Sequence, residues 1–494
     1  MIKDGFQPTI GLEIHVELDT KSKMFCSCPN DPNERHPNIN ICPVCMGHPG
    51  VLPVINEEAV KKTIKVGLAL NCHISSYSKF DRKSYFYPDL PKGYQISQFY
   101  IPLCKNGYLE INGKKIRIRE IHLEEDTGKL IHDEKGRYSL VDFNRAGIPL
   151  MELVTEPDLK SAKEARKFAQ ELQLILRYLN VSGADMEKGQ MRVEANVSVS
   201  KGDKLGTKVE IKNLNSFRSL EKGIEYEIQR QINVLKSGRE VIQETRGWYE
   251  DKEVTESQRE KEYSHDYRYF PEPDLPPLLI TQEYLQELKA EIPELPSRRR
   301  ERFKKEYGLE EKEVEVFIKN KDLGEYFEKV VSELKNWTKS VEFKRKLSNL
   351  EERKLIKLCA NYILCDLQGL LKKAEITGED FLITPENFAE FITMIYEDRI
   401  SSRIAKVVLA EMFKTGADPS HIIKEKKLTQ IRDLDEIQKL AQKILSVNQK
   451  AVQDYQRGKT NALQFLIGQL MKETSGKVDP QKAEEVFKKL LQKY

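Results

Sequence analysis

Strict alternation of apolar and polar residues opens the chain. In Thr9-Ile10-Gly11-Leu12-Glu13-Ile14-His15-Val16-Glu17-Leu18, five apolar side chains (Ile10, Leu12, Ile14, Val16, Leu18) fall on one side and Gly11, Glu13, His15 and Glu17 on the other, because successive strand residues point to opposite faces. The apolar side needs a core, so the other side presents two carboxylates and an imidazole on a rigid platform. The pattern recurs over 191–199, which sets Met191, Val193, Ala195, Val197 and Val199 against Arg192, Glu194, Asn196 and Ser198. Over 208–212 the polar face is Lys208, Glu210 and Lys212, and the stretch 116–126 ends in His122-Leu123-Glu124-Glu125-Asp126. The period changes to that of a helix after Ser161, which with Glu164 forms a Ser-x-x-Glu capping box ahead of Phe168, Leu172, Ile175 and Leu179, with Gly183 after the stop. A second helix starts near Ser216, aligns Phe217, Leu220, Ile224, Ile228, Ile232 and Leu235, and ends at Gly238.

A proline-rich passage over 271–277, then Pro293 and Pro296 before Arg298-Arg299-Arg300, marks a boundary. Beyond it helical periodicity dominates. Thr384-Pro385 reads as an N-cap followed by an N1 proline, and Gly416 and Pro419 set off a small helical tail. The length, 494 residues, agrees with about three domains.

One polar strand face is an ordinary half-solvated sheet. Four such faces, with Glu recurring beside His and Asn, point instead to clustered hard ligands of the kind that hold Mg²⁺ together with substrate phosphates. Glu124 and Glu125 are neighbours, so both serve one site only at a strand end or bulge, or by facing different ions. The cysteines add a second metal pattern. Cys26-x-Cys28, thirteen residues, then Cys42-x-x-Cys45 has two-plus-two zinc spacing, with His36 and His48 as alternative ligands and free thiols as the plain reading. Four thiolates would saturate zinc and leave a structural site. Cys72, Cys104, Cys359 and Cys365 read as inert thiols.

Charge changes the picture regionally. The whole chain carries +3, which excludes a uniformly basic nucleic-acid binder. Residues 341–494 carry +5, leaving −2 for residues 1–340. No run approaches the ~18 apolar residues of a membrane helix, and Met1-Ile2-Lys3-Asp4-Gly5 lacks the apolar core of a signal peptide. The expectation is a cytoplasmic protein without membrane contacts. No Walker-type phosphate loop, dinucleotide fingerprint, Gly-x-Ser-x-Gly elbow or paired Cys/His nucleophile signature is present.

Six motifs in order carry a resemblance that runs essentially end to end. They are the segment 10–18 quoted above, Ser78-Lys79-Phe80-Asp81-Arg82-Lys83-Ser84-Tyr85-Phe86-Tyr87-Pro88-Asp89, Tyr94-Gln95-Ile96-Ser97-Gln98, the run 122–126, Lys212-Asn213-Leu214-Asn215-Ser216, and Asp266-Tyr267-Arg268-Tyr269-Phe270-Pro271-Glu272-Pro273-Asp274. The sequence resembles the GatB family, the B subunits of tRNA-dependent Glu/Asp amidotransferases. The resemblance implies an α+β protein whose largely antiparallel, glutamine-synthetase-like catalytic domain (1–294, with a zinc-binding insertion near 26–45) precedes a helical domain (295–408) and a YqeY-like, tRNA-binding helical tail (409–494). It implies ATP-dependent phosphorylation of the side-chain carboxylate of misacylated Glu-tRNA(Gln) or Asp-tRNA(Asn), then displacement of phosphate by ammonia. It implies that His15, Glu125, Glu194 and Glu210 hold one Mg²⁺ and that Glu13 and Glu124 help a second, nucleotide-linked ion. Glu194 stands where the family pattern Arg-x-Asp-Ala-Asn has Asp. Lys79, Arg82 and Lys83 become candidates for ATP phosphates, with a solvated basic loop as the plain reading, and Tyr87 and Gln98 weaker ones. Ammonia would come from a GatA-type amidase, bridged by a GatC-type small subunit in a heterotrimer. In the tail, Arg403, Lys406, Lys424, Lys426, Lys427, Arg457 and Lys459 read singly as a solvated face and as a set as a tRNA-backbone grip; Gly458 and Gly468 allow close approach or plain helix packing. The competing expectations are a non-catalytic, zinc-stabilised tRNA-binding assembly subunit and a stand-alone small-molecule ligase.

Overall fold

A computed structural model describes residues 5–492 apart from 32, 134–135, 203, 261–265, 339–346, 372–375, 377–380, 429–432 and 475–476. The chain divides into two compact units, residues 1–296 and 297–494. In the first, β1 (Phe6–Glu17) runs through the middle of a twelve-stranded sheet. Further strands, in chain order, are β2 (Asp81–Ser84), β3 (Tyr94–Ser97), β4 (Cys104–Ile111), β5 (Lys114–Glu125), β6 (Pro149–Thr155), β7 (Met191–Lys201), β8 (Val209–Leu214), β9 (Glu244–Tyr249) and β10 (Val254–Glu260). Their spatial order is β10-β9-β8-β7-β1-β6-β5-β3-β2, ending in the short strand Phe270–Pro271, and β4 pairs with β5. Among the described pairs of this sheet only β8 with β9 is parallel, and the helix between them supplies the crossover such a pair needs.

Three helices, α1 (Glu57–Ala69), α2 (Ala162–Tyr178) and α3 (Phe217–Lys236), cover the apolar side. Ile10, Leu12, Ile14 and Val16 of β1 are essentially inaccessible and join one cluster with Phe168, Leu172 and Ile175 of α2 and Leu220, Ile224 and Ile228 of α3. Burying each such side chain contributes about 1.5–3 kcal/mol relative to leaving it in water, so the alternation of β1 fixes which face meets the helices. Ser161 Oγ accepts the Glu164 amide at 3.2 Å, while the Glu164 carboxylate reaches back to the Lys160 amide rather than to that of Ser161. Asn180, at φ 52°, turns the chain after α2, so the stop falls before Gly183. Ser216 caps α3 and Gly238 turns the chain beyond it.

The described residues of the second unit are helical, without a strand. Thr384 caps the helix Pro385–Tyr396, and Gly416, at φ 68°, closes Ser402–Thr415 before Pro419–Glu425. The helices from Leu434–Val447 to Pro480–Leu491 enclose an apolar cluster of their own, including Ile437, Leu445, Leu466, Leu470 and Phe487. No described helix is long and apolar enough to cross a membrane.

Candidate active site

Strand register aligns the acidic positions across five neighbouring strands. Glu13 lies opposite Glu194, and His15 lies between Arg192 of β7 and Glu152 of β6. Glu152 in turn faces His122 of β5, and Asn196 faces Glu210 of β8. Opposite residues of an antiparallel pair share a face, so one polar face collects them all on the side away from α2 and α3.

Two groups form on that face. In the first, His15 Nε2 lies 3.5 Å from Glu124 Oε1 and 3.7 Å from Glu152 Oε2, and His122 Nε2 lies 3.0 Å from Glu152 Oε2. Burial pushes the Glu124 carboxyl up, and Glu152 adds to this. Burial would also raise Glu152, but His122 and His15 beside it hold it well below the usual carboxylate range. His122 keeps its proton more firmly than usual despite burial, because Glu152 faces it. In the second group, Asn196 Nδ2 donates to Glu13 Oε1 at 2.8 Å, Thr245 Oγ1 donates to Glu210 Oε2 at 2.7 Å, and Lys212 Nζ donates to both Glu194 oxygens at 2.9 Å. Burial lifts the Glu194 carboxyl, opposed by Lys212. His15, Glu124 and Glu152, and separately Glu13, Glu194 and Glu210, each bring three ligand atoms within 4.8 Å of one another. Carboxylate oxygens, joined by an imidazole in the first group, are donors suited to a hard divalent cation, so the first group fits Mg²⁺ as it stands; the second fits once the Lys212 ammonium, which also lies 3.5 Å from Glu210, turns away from its carboxylates.

Glu125 does not join His15. It lies at the end of β5, where the register with β6 continues without a bulge at this point, and its side chain turns the other way. There it accepts the Ile96 amide at 2.9 Å and pairs with Lys92 in a cavity that Arg82, Tyr94 and Cys45 also line. Alternation likewise separates the basic trio. Lys83, half-buried, feels Glu124 and Glu152, which hold its ammonium charged against burial. Arg82 is clamped by Glu272 at 2.6 and 2.8 Å, and Lys79 by Asp81 at 2.6 Å. Gln98 is packed away, donating to Ser78 Oγ and accepting the Leu123 amide, whereas Tyr87 is exposed.

Glu152 and His122 are the site members that sequence reasoning left without a role. Glu152 had a signal: it is a lone carboxylate in the apolar run Leu150-Met151-Glu152-Leu153-Val154.

The four cysteines converge, their sulfurs within 4.8 Å of one another. Gly147, whose φ of 89° favours glycine, packs beside Cys45. The Cys45 thiol is brought down to about 5 by the Cys26 thiol that donates to it, helped by the Cys42 amide and by Lys23. Lys23 is buried with its Nζ 3.8 Å from that sulfur. Four sulfurs, one of them a stabilised thiolate, fit a tetrahedral metal. His36 and His48 are not members of the group. Cys72, Cys104 and Cys359 are pushed up by burial, while Cys365 is exposed.

The seven basic residues named as tRNA-backbone candidates, from Arg403 to Lys459, are all exposed. Lys406, Lys426 and Lys459 pair with Asp366, Glu411 and Asp454. Arg403, Lys424, Lys427 and Arg457 make no ion pair with a described residue.

Two family models match the chain: the GatB/GatE catalytic domain over residues 8–286 and the GatB domain over 343–491. The chain belongs to the GatB family. The GatB relatives include a Thermotoga maritima protein 48% identical over 497 residues, covering 99% of both chains, and a Caldicellulosiruptor saccharolyticus protein 47% identical with the same coverage. A Thermoanaerobacter pseudethanolicus relative is 45% identical over 494 residues, covering 99% of this chain and all of its own. Each is named as the B subunit of an aspartyl/glutamyl-tRNA(Asn/Gln) amidotransferase. The match to the GatB/GatE catalytic domain contains both acidic groups and the cysteine cluster.

Proposed function

We propose that this chain is the B subunit of an aspartyl/glutamyl-tRNA amidotransferase, and that it converts Glu-tRNA(Gln), Asp-tRNA(Asn) or both to the amides. The observation that supports this most directly is the pairing of the two acidic groups on one sheet face. A carboxylate is a poor acyl electrophile; transfer of the ATP γ-phosphoryl group gives it a leaving group that ammonia can displace. Mg²⁺ held by His15, Glu124 and Glu152, and by Glu13, Glu194 and Glu210, would supply the charge neutralisation that phosphoryl transfer requires. Around it the protein orients rather than reacts. Asn196 and Thr245 fix the Glu13 and Glu210 oxygens, His122 holds Glu152, and Lys83 offers a charged group to phosphate. In this reading Lys79 and Arg82 contribute to the phosphate site only after leaving their carboxylate partners.

Cys26, Cys28, Cys42 and Cys45 hold a structural zinc ion in this reading, leaving no open position for chemistry. With no activated Ser or Cys nucleophile signature in the sequence, ammonia is supplied by a GatA-type amidase subunit joined through a GatC-type small subunit, in the cytoplasm. Residues 1–294 form the catalytic part, 295–408 a helical domain and 409–494 the tRNA-binding tail. The test is amidation by the full chain assembled with its partner subunits. Product should require ATP, Mg²⁺ and aminoacyl-tRNA together. Turnover on free glutamate without tRNA would replace this reading with a small-molecule ligase, and amidation without Mg²⁺ would remove the role of the acidic face.

A further inference from the structure

One edge of the acidic face is built of aromatic rings. Phe99 and Tyr269 stack with centroids 3.8 Å apart and planes 9° from parallel. Tyr100 meets Phe99 edge-on at 5.1 Å and donates its hydroxyl to the Tyr269 carbonyl at 3.3 Å. Tyr267 continues the row, 5.9 Å from Tyr269 and 6.0 Å from Tyr85. Phe99 and Tyr100 are each 52% exposed, an open aromatic surface on a chain whose residues are 32% charged. Cations are inlaid in it. The Lys79 ammonium lies 4.8 Å from the Tyr100 centroid and that of Lys83 5.0 Å from Tyr267, while Arg268 is exposed beside them. Exposed rings interleaved with lysines are the elements with which proteins hold single-stranded nucleic acid: bases stack on the rings and phosphates meet the cations.

The shelf is continuous with the acidic face. Ser97 donates to Glu124 at 3.4 Å, and Phe99 lies two residues further along the same segment. Glu124 and Glu152 both act electrostatically on Lys83 and on Tyr269. If the reacting carboxylate is the side chain of an amino acid esterified to the ribose of a tRNA 3′-terminal adenosine, that base must lie within one ribose and one aminoacyl arm of the acidic face. The tRNA 3′ end is also single-stranded and anionic, which complements Lys83 and Arg268, Lys79 being held by Asp81.

We propose that the shelf of Phe99, Tyr100 and Tyr269 stacks the 3′-terminal adenosine of the aminoacyl-tRNA and thereby sets the aminoacyl arm over Glu124. The proposal rests on the amidotransferase reading above. Its test uses the full chain assembled with its partner subunits and Glu-tRNA(Gln) whose terminal adenine is replaced by 2-aminopurine. Fluorescence should be quenched on binding to the parent complex, and the quench should be lost in the Phe99→Leu/Tyr100→Leu variant. The KM for aminoacyl-tRNA should rise roughly 5- to 100-fold, the effect of losing one base stack, with kcat and the KM for ATP unchanged and Phe99→Trp close to the parent. An unchanged KM for ATP also shows that the catalytic domain remains folded in the variant. A retained quench with a raised KM for ATP would instead assign the shelf to the adenine of the nucleotide. A retained quench with neither constant moved would make the rings internal packing, and failure of the variant to assemble would make them a subunit interface. Each of these three overturns the proposal. The reading beneath it fails separately, if Glu124→Gln leaves amidation intact.

Discussion

Glu124 and Glu125, adjacent on one strand, serve opposite sides of the sheet. The Glu124 carboxylate lies 3.5 Å from His15, whereas Glu125 pairs with Lys92, the two side chains being 4% and 7% exposed. Their roles should therefore separate. Glu124→Gln is expected to weaken Mn²⁺ binding, measured by electron paramagnetic resonance on the full chain, without lowering stability. Glu125→Gln leaves Lys92 buried without its counter-charge and should cost about 3 kcal/mol, read as a lower urea midpoint with Mn²⁺ affinity retained. The reverse pattern would reinstate Glu125 as the ligand.

Glu152 stands between two imidazoles, 3.0 Å from His122 and 3.7 Å from His15. Glu152→Gln should lower Mn²⁺ affinity, and His122→Ala, which removes the imidazole that holds Glu152 and lies 3.9 Å from Glu124, should lower it by about 10–100-fold. Parent-like Mn²⁺ titrations for both variants would exclude the group as a cation site.

How legible these features were depended on how local each determinant is. The alternation over 9–18 and 191–199 gave the acidic face directly, because burial of Ile10, Leu12 and Ile14 leaves Glu13 and His15 no other side. The cysteine spacing was legible for the same reason: the two pairs lie on one short loop. Register is not local. Glu152 comes to His15 only because β6 pairs with β1 at that residue, and nothing in Leu150-Met151-Glu152-Leu153-Val154 reveals the pairing. Motif resemblance alone favoured Glu125 beside His15; the strand's alternation puts Glu124 there. Arg82 and Lys79 looked available until the fold supplied Glu272, far along the chain, and Asp81.

Zinc should be present at about one equivalent in freshly purified protein. Cys42→Ser/Cys45→Ser, or removal with a strong chelator, is expected to lower the thermal midpoint and to expose the 26–45 loop to protease, since on the proposed reading zinc held by the four thiolates is its staple. An unchanged midpoint and cleavage pattern would make the cysteines free thiols.

Burial pushes the Glu17 carboxyl up to about 7, with Asp126 adding and Arg192 and Arg145 opposing. The folded chain keeps that proton where the unfolded chain releases it, between about pH 4.5 and 7, so stability falls as pH rises through this window. The shift corresponds to at most about 3 kcal/mol. Glu17→Gln should match the parent in urea midpoint near pH 4.5 and exceed it at pH 8. A difference that is constant with pH would refute the assignment.

Arg403, Lys424, Lys427 and Arg457 are the exposed basic residues of the set that no described carboxylate holds. Lys424→Glu/Arg457→Glu should raise the KM for aminoacyl-tRNA without changing kcat, and should reduce the slope of log affinity against log salt by about 2. An unaltered slope would return these residues to a solvated helix face.

The central claim is that the acidic face of the sheet activates the carboxylate. It is tested most directly by the rate of Glu-tRNA(Gln) amidation, with ATP and Mg²⁺ saturating, in the complex carrying Glu124→Gln together with Glu210→Gln. We predict a fall of about a hundredfold or more, the loss of several kcal/mol of metal charge stabilisation, with complex assembly and thermal midpoint preserved. Amidation at the parent rate in that variant would contradict the account and leave a non-catalytic, tRNA-binding assembly subunit in its place.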